Sequence, residues 1–190
     1  MYIPFREKHL FQLLELYQAD TKPLDVAVMT YFRENKQLGT KDRAFINDTI
    51  YALIRWQGLY RYLLPEKATW EDYYRLFSEK KPETFLKDET IPLQCRVSMP
   101  EELFHELQAS LGPKAKEVAL ALNTQAPTTV RANLLKIDRE ALLQKFQEKG
   151  FQVQASEHSK TGIQFLKKIN FFELEEFKNG FFEVQDEASQ

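Results

Sequence analysis

Thr128-Thr-Val-Arg-Ala-Asn-Leu-Leu-Lys136, then Asp138 to Lys149, Gly150 and Phe151-Gln-Val-Gln-Ala155, is the stretch on which the fold turns. The first piece reads as extended. The second carries apolar residues at helical spacing and is stopped by Gly150, where a glycine accepts a backbone that other residues resist. The third alternates as a strand does. Strand, helix and strand in that order form a β-α-β unit. Downstream, Ile163, Phe165 and Phe181-Phe-Glu-Val184 supply further strand positions. Asn170 to Phe177 suits a short helix and Asn179–Gly180 a turn. Residues 123–190 therefore predict a small α+β domain, partly RRM-like or ferredoxin-like.

Upstream the period changes. Leu10, Leu13, Leu14 and Tyr17 follow Pro4 at helical spacing, and Leu24, Val28 and Tyr31 follow Pro23. Thr40 is placed to cap a long third helix through Phe45, Ile46, Ile50, Leu53, Ile54 and Tyr60, ending before Pro65. Thr69 with Asp72, and Ser98 with Glu101, have the spacing in which a hydroxyl and a carboxylate satisfy the amides at a helix start. Ser78 to Pro92 suits a short helix and loops. Gly112–Pro113 separates a helix around Leu103, Phe104 and Leu107 from another over Ala115 to Leu122. The fold class is mixed: an all-α bundle over 1–122, then the α+β domain over 123–190.

Composition narrows the functions. Lys and Arg number 26 against 28 Asp and Glu, a net charge of −2, so no whole-molecule positive field holds nucleic acid and such a role needs a local patch. Cys95 is the only cysteine, which excludes an internal disulfide, a four-thiolate zinc site and a CxxC redox pair. His9, His105 and His158 lie too far apart in sequence for a helical metal motif. The six glycines are too dispersed for a phosphate-binding loop, and nothing near Cys95 is an evident base. No metal is expected. No apolar run approaches the roughly 20 residues of a membrane span, so a soluble, cytoplasmic protein without a membrane partner is expected. The 15 Phe, 8 Tyr and 2 Trp are read chiefly as core material.

Two groups of residues offer chemistry. Lys36, Lys41, Arg43, Arg55 and Arg61 surround the third helix and either meet backbone phosphates or solubilise a face that Asp42 and Asp48 partly offset. Arg131 and Asn133, with Lys136 nearby, share a face if the strand runs on, offering a guanidinium fork and an amide. They either hold a phosphate or ribose, or tie down a loop or an adjacent domain.

The stretch Asn123-Thr-Gln-Ala126-Pro127-Thr-Thr-Val-Arg131-Ala-Asn133 resembles the AP-x-x-(L/V)-R-x-N signature of Nop/Sun-class, RsmB-like RNA cytosine-5-methyltransferases. Gly180-Phe-Phe-Glu-Val-Gln185-Asp186-Glu-Ala-Ser-Gln190 is similar to their later VQDEASQ junction. Leu38-Gly-Thr-Lys41-Asp42-Arg43-Ala-Phe45 with Tyr51-Ala-Leu53-Ile54-Arg55 resembles the NusB-like helical module of some members. Val130 and Ala132 stand where the family often has Leu and Val.

The resemblance implies that the chain is the N-terminal accessory region of such an enzyme. It positions RNA, with rRNA as the expected class and no DNA, and packs against the catalytic domain of the same polypeptide. That domain binds S-adenosylmethionine and supplies two cysteines. The chain is expected to stop short of it, to bind no cofactor and to hold no catalytic residue. Lys41, Arg43, Arg55, Arg131, Asn133 and Lys136 become candidate RNA contacts, and Ala126, Pro127, Gly180, Gln185, Asp186 and Gln190 candidate interdomain packing residues. A helical protein-binding or assembly module without RNA is the alternative.

Overall fold

A computed structural model describes residues 3–167 and 169–190. The chain divides into two compact units, Met1–Thr124 and Gln125–Gln190.

The first unit is helical: α1 (Phe5–Ala19), α2 (Leu24–Glu34), α3 (Thr40–Arg55), α4 (Gln57–Leu63), α5 (Trp70–Glu79), α6 (Leu93–Arg96), α7 (Glu101–Leu111) and α8 (Ala115–Leu122). Its core is the set that helical spacing aligns: Leu10, Leu13 and Leu14 of α1, Val28 and Tyr31 of α2, and Ile46, Ile50 and Leu53 of α3. A smaller cluster of Val97, Phe104 and Ala119 joins α7 to α8.

Three local expectations are corrected here. Thr40 is the first residue inside α3, and Gly39 is the cap, with no side-chain bond. The long third helix is two helices, broken at Trp56 (φ −99°, ψ 11°). Ser98 does not cap α7, which starts from Pro100 without a side-chain cap. Instead Ser98, at φ +50°, turns its Oγ onto the start of α4 and accepts from the amides of Gly58 (2.9 Å) and Leu59 (3.4 Å). A Cβ on Gly58 would lie 3.1 Å from that oxygen, so the glycine lets a distant loop approach and cap the helix that the break created. Thr69 and Asp72 do form the capping box of α5. In the segment from Ser78 to Pro92, Ser78 and Glu79 end α5 and the rest is loop around one 3-10 turn, Pro82–Phe85.

The second unit holds β1 (Thr128–Ala132), α9 (Arg139–Glu148), β2 (Val153–Ala155), β3 (Gly162–Phe165), α10 (Glu175–Lys178) and β4 (Phe182–Val184). The four-stranded sheet has order β2-β3-β1-β4, every neighbouring pair antiparallel. β1 and β2 run parallel yet are separated by β3, so the β-α-β unit is the split form of a ferredoxin-like fold. Antiparallel register explains the burial. Val130 pairs with Ile163 and Val184, and Ala132 with Phe182, which puts Val130, Ala132, Ile163, Phe165 and Phe182 on one face under Leu142 and Phe146 of α9. Phe146 touches Phe151, Phe165 and Phe182 edge-on, at centroid distances of 6.1, 5.0 and 5.5 Å.

β1 is shorter than its apolar run suggests. The carbonyl of Asn133 accepts from the amides of Lys136 (2.8 Å) and Ile137 (3.0 Å), and its Oδ1 accepts from that of Leu135 (3.2 Å). A local turn therefore wins over continued pairing. The helix expected over Asn170 to Phe177 is likewise divided at Leu174 into a 3-10 turn, Phe171–Glu173, and α10.

Candidate functional site

The candidate cations separate into those the fold uses and those it leaves free. Arg43 donates from Nε to the Leu38 carbonyl (2.9 Å) and from Nη2 to the Asn35 carbonyl (3.4 Å), over the ring of Phe32. It closes the C-terminal end of α2. Lys41 is exposed and Arg55 half-buried, and neither makes a hydrogen bond or ion pair with a described residue. They lie 14 residues apart on α3, about 21 Å, on one helical face with Asp48 between them. Those charges are thus interrupted rather than continuous.

In the second unit, Arg131 is exposed on the sheet face away from the core. It stands opposite Glu183 of β4 and Gly162 of β3, with no ion pair to Glu183. Asn133 does not join it as a second ligand, because the strand ends at Ala132. Its Nδ2 donates to the Gly180 carbonyl (2.9 Å) and its amide to the Phe181 carbonyl (2.8 Å). The Lys136 ammonium donates to the Asn179 carbonyl (2.7 Å). Asn133 and Lys136 together clamp the Asn179–Gly180 turn, where Gly180 takes φ +68°. Beside that clamp Leu134 and Leu135 are exposed, the latter at 96%. They share a shallow depression with Arg131 and Glu183.

The junction residues fold back onto the open face of the sheet. Thr129 Oγ1 donates to the Gln185 carbonyl (2.7 Å), the Gln185 amide side chain donates to the Ser189 carbonyl (3.1 Å), and Asp186 caps a short 3-10 turn, Glu187–Ser189. Gln190 Oε1 accepts from Ser159 (2.7 Å) and its Nε2 donates to the Gln185 carbonyl (3.1 Å). Glu187 accepts from Ser156, which holds that carboxyl below its usual range. A Cβ on Gly162 would meet Ser156 Cβ at 2.7 Å and Gln190 Oε1 at 2.9 Å. Gln185 and Gln190 are therefore bound within the unit, whereas Ala126 and Pro127 are exposed. Sequence reasoning missed Ser156, Ser159 and Gly162 because their partners lie about thirty positions away and no spacing signals them.

Cys95 is half-buried, and burial, with help from Glu101, pushes its thiol above the ordinary range, which opposes nucleophilic use. Among the described residues no group of three His, Cys, Asp or Glu could hold a metal ion, and no helix is long and apolar enough to cross a membrane.

Residues 99–171 match a family described as the Methyltr_RsmF/B-like, ferredoxin-like domain. That segment is thus similar to the RsmF/B-like domain family. The match takes in α7 and α8 as well as β1 to β3, so it begins ahead of the sheet. A protein of Coxiella burnetii, named probable ribosomal RNA small subunit methyltransferase B, is 23% identical over 168 residues, 86% of this chain and 36% of the relative. The solved structure of PH0851 superposes on all of this chain and 54% of its own, with 18% identity and a TM-score of 0.64, and so shares the fold. A methyltransferase homolog from Pyrococcus horikoshii matches 55% of this chain and 34% of its own, at 23% identity and a TM-score of 0.46. The chain thus spans about a third of the curated relative and about half of PH0851. With its RsmF/B-like domain, it resembles an N-terminal region of that methyltransferase class.

The six glycines bear on whether these residues fit S-adenosylmethionine. Gly39 is the N-cap of α3, Gly58 and Gly162 accommodate neighbouring serines, and Gly112, Gly150 and Gly180 serve positive-φ turns. None opens a backbone cradle for a nucleoside and carboxylate. The described residues do not fit that cofactor.

Proposed function

We propose that this chain is the non-catalytic accessory region of an RNA methyltransferase and that it positions RNA for a catalytic domain of the same polypeptide. The observation that carries the reading is the RsmF/B-like domain at residues 99–171, supported by the rRNA methyltransferase named above. The substrate class is small-subunit rRNA, the product a C5-methylated cytosine, the methyl donor S-adenosylmethionine held by the catalytic domain, and the compartment the cytoplasm. Lys41, Arg55 and Arg131, whose charges the fold does not consume, meet backbone phosphates. Asn133 and Lys136 act indirectly, by fixing the turn beside Arg131. Exposed Ala126 and Pro127, and the segment anchored through Gln185, Asp186 and Gln190 near Gly180, brace the neighbouring domain. Reaching a base in folded RNA costs a few kcal/mol of unstacking, which a surface holding the flanking backbone offsets.

Filter binding of a small-subunit rRNA fragment to the chain and to Lys41→Glu, Arg55→Glu and Arg131→Glu tests this. The expected result is weaker binding for each variant, with the salt dependence shallower by about one unit per lost phosphate contact. Unchanged affinity in all three overturns the contacts, and saturable binding to a protein with no RNA dependence favours an assembly module.

A further inference from the structure

We propose that the helical unit contains a pocket for one unstacked, amino-bearing nucleobase, built where α1, α4 and α5 converge. The proposal rests on the RNA reading above and names a specific subsite within it. The depression measures about 460 Å3, within the range of ligand pockets. Each helix contributes residues one turn apart: Glu15 and Gln18 from α1, Gln57 and Arg61 from α4, Trp70 and Tyr73 from α5. The connection before α5 adds Glu66.

The aromatic wall is fixed from two directions. Trp70 Nε1 donates to Gln18 Oε1 (2.9 Å), and the Thr69–Asp72 capping box sets the helical turn that carries the indole. Trp70 and Tyr73 lie 5.3 Å apart at 50°. Half-buried Trp70 thus offers a held ring surface for stacking, at no cost in side-chain freedom when a base arrives.

Around that wall stand water-facing hydrogen-bonding side chains that no protein group engages, Glu15, Arg61 and Glu66 exposed and Gln57 half-buried. Glu15, Gln57, Arg61 and Glu66 have no hydrogen bond or ion pair with a described residue. Arg61 donates, Glu15 and Glu66 accept, and Gln57 does both. A base with an exocyclic amine answers that set: the amine donates to a carboxylate, while ring nitrogens or carbonyls accept from Arg61 and Gln57. Uracil has no such amine. A phosphate inside the pocket would face two carboxylates, and a cationic peptide side chain would face Arg61, so a neutral ring is favoured over either.

The test is a titration of the whole chain with single-stranded oligo(rA), oligo(rC) and oligo(rU), read by fluorescence anisotropy of labelled RNA and by quenching of Trp70 against the other tryptophan, Trp56. Oligo(rA) and oligo(rC) are expected to bind more tightly than oligo(rU). Gln57→Ala and Arg61→Ala, which leave the aromatic wall in place, are expected to weaken both by about two- to tenfold. Trp70→Phe should abolish the quenching. Equal affinity in Gln57→Ala, Arg61→Ala and wild type, with RNA binding intact, overturns the pocket and leaves the RNA role standing. Absence of RNA binding overturns both, and quenching by an arginine-rich peptide that RNA does not displace assigns the pocket to a protein and overturns the proposal.

Discussion

At Gly162, Ser98 and Glu176 single atoms decide local structure. A methyl group at Gly162 collides with Ser156 and Gln190. Gly162→Ala should therefore cost about 1–3 kcal/mol and release the segment 187–190 from the sheet, seen as a lower unfolding midpoint and faster amide exchange there. Ser98→Ala should cost about 0.5–2 kcal/mol, because the amides of Gly58 and Leu59 lose their acceptor, and denaturant unfolding measures it. Glu176 is buried, with Oε2 unpartnered and Oε1 at 2.6 Å from the Lys149 ammonium. Burial alone would raise its carboxyl, but the bond to Lys149 and its own amide bring it below the usual range. The pair's contribution is thus complete above the unfolded pKa, near 4.3, and is lost as pH falls through the lower folded value. Lys149→Gln strands the carboxylate; since Lys149 is 42% exposed, the cost should be about 1–3 kcal/mol rather than that of a fully buried pair. Replacing both residues by Met should recover most of that loss, and a smaller loss in Lys149→Gln alone than in the double variant would contradict the argument.

Among the elements, α1 and α2 meet through a titratable contact. His9 is buried, its Nδ1 lying 2.7 Å from the Tyr31 hydroxyl. Burial first, then Lys8, lowers its pKa below 6.5, with Asp42 opposing. The unfolded chain binds this proton more readily, so stability is intact above pH 6.5 and falls as pH drops from there toward the folded value. His9→Gln should flatten that part of the pH profile of thermal unfolding, and an unaltered profile would contradict the assignment. The elements also show what the sequence makes legible. Helical spacing of buried apolar residues places α1, α2 and α3, and Asp138 and Gly150 delimit α9, because those signals act within a turn or two of chain. The division of α3 from α4 escapes such reading, since the group that caps α4 is Ser98, forty residues away. The end of β1 escapes it too: Asn133 turns the chain with its own side chain, and apolar Leu134 and Leu135 then stand in solvent. For the same reason Asn133, legible as a polar group near Arg131, turns out to bond the Gly180 carbonyl instead of presenting a free amide.

For the whole molecule, two units carry two kinds of free chemistry. Unconsumed cations occur in both, at Lys41, Arg55 and Arg131, while the water-facing polar side chains around Trp70 belong to the helical unit alone. The net charge of −2 means that attraction to RNA has to come from such local groups. The central claim is that this chain holds RNA through a few phosphates, and the most direct measurement is the affinity of the 190-residue chain for small-subunit rRNA as a function of salt. The account predicts saturable binding whose logarithm falls with the logarithm of salt at a slope of about −2 to −3, as three cations require. Absence of saturable binding, or affinity independent of salt, would contradict it.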